Sequence, residues 1–490
     1  MKKLLTFWRR AVLVALTLGC LLAAQGAAFA QQADKAAKLD ELLKAYQSSR
    51  QFNGAVLVAE GGKVIFKKGY GLANMEWDVA NEPDTKFRLG SITKQFTATL
   101  ILQLVEQGKL RLDAKLTDYL PDYRKETGGR ITIHQLLNHT SGIPSYTSRP
   151  DLADISRASL PVAEFVKRYA AGDLEFEPGS KFSYNNSGYF ILGAIIERVT
   201  GKPYEQVLRE RILDPLGMKN TGYDHSDRVI PKRAAGYEKA LEGYANASYI
   251  DMSVPFAAGS LYSTVEDLYL WDQALYADKI LSAQSKELMF KRGLGNYAYG
   301  WISVKVPLAP GQPPVPLVMH DGGINGFNTL IVRMPESRNL VVLLNNTGET
   351  SLNEMAQNIA KILSGQTPRM PRRSIAETLG RTIAERNVQA AVKQYRELKA
   401  AQPDAYNFDE RQLNLLGYHL VGLKRLGDAI EIFKLNVEMF HTGFNTYDSL
   451  AEAYLLNGDT TLAIENYKKS LALNPENANA AAKLKELGAK

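Results

Sequence analysis

"LGSITKQF", residues 89–96, places Ser91 three residues ahead of Lys94. On a helix that spacing sets both side chains on one face, the geometry by which a lysine can help to deprotonate a serine. No other Ser-x-x-Lys occurs in the chain. Upstream, "FRLGS" closes an extended run at Gly90; downstream, "ITKQFTATLILQLVEQGKL" carries Phe96, Leu100 and Leu104 at helical spacing. Ser91 thus falls near a helix N-terminus, where backbone N–H groups and the macrodipole favour developing negative charge. The position suits a nucleophile that becomes an alkoxide. It equally suits an ordinary serine N-cap.

A free lysine is protonated at neutral pH, so a second group must hold or relay the proton. "EPGSKFSYNNSGYFILGAIIERVTG" (177–201) offers Tyr184-Asn185-Asn186 in a polar loop directly before an apolar helix. A tyrosine hydroxyl beside a lysine ammonium has its pKa lowered from about 10, and Asn186 can donate to and accept from a substrate amide. Tyr244-Ala245-Asn246 repeats the pattern without that framing. A third candidate is "MHDGGINGF" (319–327), at the end of a strand run. There His320 and Asp321 precede Gly322 and Gly323, two residues that let a ligand approach the backbone. The N–H of Gly323 is a candidate second oxyanion donor beside that of Ser91. His134 and His139 stand five apart with no third ligand in view and read as structural. No Gly-x-Ser-x-Gly, phosphate-loop, Gly-x-Gly-x-x-Gly or His-Glu-x-x-His motif is present.

Around these motifs the chain reads as an α/β (α+β) domain over 31–364. A helix over 34–49 precedes two β-rich runs in 52–71, which turn at Glu60-Gly61-Gly62. The pattern from Ser91 to about Phe290 is mostly helical. Strands return at 296–306, 316–320, 327–334 and 339–347, and a helix over 351–363 follows. The economical arrangement is one antiparallel sheet made from both ends, a terminal helix on it, a helical lobe alongside, and a site in the cleft between. "GQTPRMPRRS" (365–374) is a linker. Beyond it, over 375–490, Leu416, Gly417, Ala429 and Phe433 recur 34 residues later as Leu450, Ala451, Ala463 and Tyr467. The units 410–443 and 444–477 resemble tetratricopeptide repeats, with a degenerate unit or cap at 375–401.

With 45% apolar and 23% charged residues among 490, the composition is that of a globular protein. Residues 1–30 have the form of a secretory signal peptide: Lys2, Lys3, Arg9 and Arg10, an apolar run from Ala11 to Ala24, and Ala28-Phe29-Ala30. Removing those four cations, with no acidic residue among them, takes the net charge from +7 to +3, so basicity gives no argument for nucleic acid. The single cysteine, Cys20, leaves with the signal unless it is a lipidation site, and the mature chain then makes no disulfide. The expectation is an exported, periplasmic protein without an integral membrane span.

Ser-x-x-Lys, Tyr-x-Asn and a basic-residue-x-Gly before the last strands, in this order, together resemble the serine β-lactamase and penicillin-binding-protein superfamily. The likeness is greatest to the class C-related branch with its D-amino-acid peptidases and esterases. "LLNHTSGIPSY" (136–146) and "AAGSLYSTVEDLYLW" (257–271) look like that branch's connecting segments. The resemblance implies Ser91 as acylated nucleophile, Lys94 as its proton partner, Tyr184 as base, and Asn186, His320 and Gly322 as substrate-binding residues. It also implies an oxyanion hole from the N–H groups of Ser91 and Gly323, and no metal or organic cofactor. The expected activity is hydrolysis of an amide or ester of a small molecule or peptide. True β-lactamase or D,D-peptidase activity is one alternative. Another is a catalytically idle interaction protein that docks a protein partner through its repeats. One departure stands out: penicillin-recognising members usually carry lysine at His320 and threonine or serine at Asp321. An imidazole of pKa about 6.5 beside a carboxylate weakens recognition of a substrate carboxylate.

Overall fold

Apolar residues run unbroken through "GAVLVAE" (Ala55 to Ala59) and "NLVVLLN" (Leu340 to Leu344), so each strand offers apolar side chains to both faces of a sheet. The computed structural model describes residues 32–489 apart from 158, 241–242, 308–310, 312 and 349. In it these strands, Gly54–Glu60 and Asn339–Asn345, pair antiparallel from Gly54↔Asn345 to Ala59↔Leu340. Ala55, Leu57, Ala59, Leu340, Val342 and Leu344 enter the core of the helical lobe. Val56, Val58, Val341 and Leu343 enter a second core on the other face. Helices 32–48 and Asn353–Leu363 cover that second face; Leu39, Leu42, Leu43 and Tyr46 form the buried stripe of the first. Each fully buried aliphatic side chain stabilises this arrangement by about 1.5–3 kcal/mol.

The sheet has six antiparallel strands in the order Ile302–Val306, Val315–Ile324, Phe327–Met334, Asn339–Asn345, Gly54–Glu60, Lys63–Tyr70. The two ends of the domain therefore meet at its centre. Helices Thr93–Glu106 and Asn186–Thr200 run through the lobe; residues 93–104 of the first and 187–196 of the second are all buried. A small sheet, Phe87–Arg88 with Leu261–Ser263 and Gly222–Tyr223, fixes the entry to the first helix. The whole is a β-lactamase-like α/β fold with a helical C-terminal region.

Three local readings change. The run expected to end at His320 continues as Val315–Ile324, because it pairs residue for residue with Phe327–Met334 up to the turn at Asn325-Gly326. His320 to Gly323 thus belong to a strand. The run 296–306 is strand only over Ile302–Val306. The mostly helical stretch also holds the short strands Gly222–Tyr223, Tyr237–Ala240, Gly243–Asn246 and Leu261–Ser263, too brief to show a period of two.

The chain divides into two units, the second formed by Lys239–Ala245 and Pro371–Lys490. The latter segment contributes helices Ile375–Glu385, Val388–Ala401, Glu410–Gly422, Leu426–Met439, Phe444–Leu456, Thr460–Leu473 and Ala478–Glu486. Leu416, Ala429 and Phe433 lie in its core, as do Leu450, Ala463 and Tyr467 one period later. Residues 366–372 have no regular structure, and Arg373–Ser374 pairs parallel with Tyr406–Asn407. No helix among the described residues is long and apolar enough to cross a membrane. The signal segment 1–30, with Cys20 and the boundary after Ala30, lies outside the described residues.

Candidate active site

Ser91 sits in a single 3-10 turn, Gly90–Ile92, immediately before helix Thr93–Glu106. Neither helix start has a side-chain cap. Of the two readings open in the sequence, the N-cap is thereby excluded. The turn is pressed against the sheet: a Cβ on Gly90, whose φ is +55°, would lie 2.9 Å from the nitrogen and oxygen of Gly323. A Cβ on Gly322 would lie 1.9 Å from the Leu89 carbonyl oxygen, so only glycine fits there. Thr329 Oγ1 donates to that same carbonyl at 2.7 Å and holds the strand to the turn. Gly322 therefore serves the backbone approach, and its missing side chain faces Leu89.

Lys94 is fully buried, and its Nζ donates to Ser91 Oγ at 2.9 Å, Asn186 Oδ1 at 2.8 Å and the Ala258 carbonyl at 2.8 Å. All three partners are neutral, and no carboxylate pairs with it among the described residues. Burial pushes its pKa down to about 7, against the opposing pull of the Asp321 carboxylate. A neutral amine keeps two N–H groups for Asn186 and Ala258, which leaves its lone pair for the Ser91 hydroxyl. Asn186 is itself held, donating from Nδ2 to Thr147 Oγ1 at 3.1 Å and from its backbone N–H to Ser145 Oγ at 3.3 Å. Its amide thus orients the lysine, with one of the oxygen's two acceptor sites and one of the two N–H donors already engaged.

Tyr184 stands beside Ser91, and the Lys94 ammonium nitrogen lies 4.9 Å from its ring centroid, over the face. The lowered pKa expected for this phenol does not follow from that placement. Crowding by protein raises it, the Ser91 hydroxyl opposes the rise, and the Asp321 charge adds to it. The ring is nevertheless open to solvent over 38% of its surface, which tempers the effect without reversing it. At neutral pH the group is a phenol.

His320 is 2% exposed. Its Nδ1 donates to the Asp321 carbonyl at 2.5 Å, and its Nε2 accepts from the Tyr297 hydroxyl at 2.9 Å. Burial, reinforced by Lys94, pushes its pKa down to about 4. Both ring nitrogens are engaged, so the substrate contact expected of His320 finds no free polar atom, and the partial positive charge is absent. Gly323 is better placed. Ile324 and Phe327 close the hairpin, and ladder hydrogen bonds alternate along an antiparallel pair, so the Gly323 N–H points away from Phe327–Met334. Pairing with the outer strand stops at Met319, which leaves that edge to the Ser91 turn.

Two residues acquire a place the motifs did not give them. His139, read as structural, packs its ring 4.4 Å from those of both Tyr184 and Tyr297, and its Nδ1 accepts the Asn185 N–H at 3.1 Å. Tyr297 then joins it to His320. The signal was the segment "LLNHTSGIPSY", but its contacts are all tertiary. The second Tyr-x-Asn lies in another hairpin, where Asn246 donates to Glu76 at 2.8 Å.

With this geometry in view, residues 39–364 match the Beta-lactamase family. Penicillin-binding protein 4* of Bacillus subtilis is 32% identical over 369 residues, which is 69% of this chain and 78% of that one. A penicillin binding protein from Bacillus halodurans superposes with a TM-score of 0.56 at 26% identity, covering 66% of this chain and 98% of the other. D-amino acid amidase from Ochrobactrum anthropi SV3, solved with L-phenylalanine amide, gives a TM-score of 0.58 at 27% identity over 68% and 99% of the two chains. Ser91, Lys94, Tyr184 and the His320–Gly323 strand all lie inside the matched segment, and the chain belongs to the Beta-lactamase family.

Proposed function

We propose that this protein is a serine hydrolase that cleaves an amide or ester through an acyl-enzyme on Ser91. The observation that carries this reading is Lys94: a fully buried amine without a carboxylate partner among the described residues, 2.9 Å from the Ser91 hydroxyl. Neutral lysine takes the Ser91 proton as Oγ bonds to the substrate carbonyl carbon. The carbonyl electron pair moves onto oxygen, where the N–H groups of Ser91 and Gly323 receive it. As the intermediate collapses, the bond to the leaving nitrogen or oxygen breaks. The Tyr184 phenol supplies the leaving group's proton and is restored by the lysine ammonium. Water then attacks the acyl ester by the same steps in reverse order, releasing the acid and Ser91–OH. A raised phenol pKa fits this relay better than it fits a standing tyrosinate.

Likeness to the D-amino acid amidase, and a neutral His320, support the peptidase- and esterase-like side of the class C-related branch. The basic–apolar–small-residue pattern of residues 1–30 supports export to the periplasm. The 34-residue recurrence in the C-terminal core supports tetratricopeptide-type repeats beyond a linker at 365–374, with a protein partner as their ligand. A neutral alkyl fluorophosphonate tests the central claim. One adduct per chain should map to Ser91 and vanish in Ser91→Ala. Folded protein that gains no adduct overturns the hydrolase reading.

A further inference from the structure

We propose that Asp321 is a specificity residue that selects substrates carrying an ammonium group near the scissile carbonyl; this deepens the hydrolase reading above and rests on it. Asp321 is exposed and stands on the unpaired edge of strand Val315–Ile324, two residues before Gly323. Two residues of strand span roughly 7 Å, about the reach from a carbonyl oxygen at the Gly323 N–H to a substituent one or two atoms beyond its carbon. A side chain on Gly323, which shares Asp321's face of the strand, would meet nothing nearer than Asn328 Nδ2 at 3.8 Å, so that face is open. Among the described residues the Asp321 carboxylate takes part in no ion pair and accepts no hydrogen bond.

The charges around it sharpen the choice. His320, its neighbour, is neutral with both nitrogens occupied. Lys94 is buried and committed to Ser91, Asn186 and Ala258. Asp321 also acts electrostatically on Lys94, Tyr184 and Tyr297, which line the cleft from the other side. Among the described residues, Asp321 is the carboxylate whose charge acts on Lys94, Tyr184 and Tyr297, so the rim beside the oxyanion site is negative there. A substrate carboxylate meets repulsion there; an ammonium meets an unpartnered acceptor.

The test measures protection of Ser91 from a neutral fluorophosphonate by two isosteric series. Phenylalaninamide and its analogues with methyl or carboxylate in place of the ammonium, in both enantiomers, vary charge on the acyl side. N-acetylphenylalanine amides of ethylenediamine, propylamine and β-alanine vary it on the leaving side. On at least one side the cation should protect at about tenfold lower concentration than its neutral isostere, the size of one charged hydrogen bond, with the anion weakest. That preference should shrink in wild-type protein as salt rises from 20 mM to 0.5 M. It should fall below about twofold in Asp321→Asn and invert in Asp321→Lys, each normalised to the same variant's unprotected labelling rate. Equal protection across charges, no protection by any member, or preference for the anion overturns the proposal. Absence of a Ser91 adduct without any competitor overturns the hydrolase reading instead. The salt series keeps the test decisive if the variants do not fold.

Discussion

Among the described residues of the Beta-lactamase-family segment, two basic side chains are buried, Lys94 and Arg333, and their surroundings could hardly differ more. Arg333, 2% exposed, donates from Nε to Asp272 Oδ1 at 2.5 Å and from Nη2 to the Asp272 carbonyl. It also lies over the faces of Tyr276 and Trp301, 4.7 and 5.7 Å from their centroids. Lys94 is as deeply buried but has three neutral acceptors and, among the described residues, no counter-ion. Burial of a charge is tolerated when it is paired; an unpaired one shifts toward its neutral form. The paired cation ties a sheet strand to the helix Val265–Ala274. The unpaired one lies beside a hydroxyl and is shifted toward its neutral form.

The largest expected effect separates the two. Arg333→Met leaves the Asp272 carboxylate buried and alone, so urea denaturation should show a loss of about 3–5 kcal/mol. Lys94→Met removes a charge that no partner offsets. Its stability should stay level or rise, while acylation of Ser91 by the fluorophosphonate slows on the order of 10³-fold. A large stability loss in Lys94→Met, with Arg333→Met benign, would reverse the comparison.

The second effect is on pH dependence. Acylation needs neutral lysine, so its rate should climb with pH through about 7. Asn186→Asp gives Lys94 the carboxylate it lacks and raises its pKa. The rising limb should then move up by about 1 unit or more, with an approximately tenfold slower reaction at pH 7. Stability follows the same groups with a definite sign. Because the folded pKa of Lys94 lies near 7 and the unfolded one near 10.5, the unfolded chain binds more protons between them, and stability rises with pH across that window. The folded His320, near 4 against 6.5 unfolded, acts likewise: stability falls as pH drops from 6.5 to 4. Melting temperatures from pH 4 to 9 check both directions.

The smallest effect concerns the link between the two sides of the cleft. Tyr297→Phe removes the hydroxyl that donates to His320 Nε2. A loss of about 1 kcal/mol is expected from thermal melts, with acylation slowed less than tenfold, since neither residue touches the reacting atoms. A change as large as that of Lys94→Met would make His320 part of the proton path.

Much of this was legible before any coordinates. Ser91, in the turn, and Lys94, in the first turn of the following helix, are three residues apart, so their contact is local and needs no long-range information. The sheet's two ends were legible because each is a short β-rich apolar run bounded by turn residues, such as Glu60-Gly61-Gly62. The proton states were not. Asn186 reads only as a substrate ligand until the lysine, 92 residues away in the chain, is found on its oxygen. His320 reads as an ordinary titrating imidazole until Tyr297 and burial occupy it. Tyr184 reads as an activated phenol until the lysine is seen over its ring face.

What the amino-acid sequence by itself determined is the set and order of the candidate residues, Ser91, Lys94, Tyr184 and Gly323, together with the antiparallel sheet from both ends. Residue types, spacing and periodicity carry that information locally. The tertiary structure alone decided which of these groups is charged and which atoms remain free. Those properties depend on burial and on partners scores of residues away, and free energies of desolvation exist only once the chain has closed around the group.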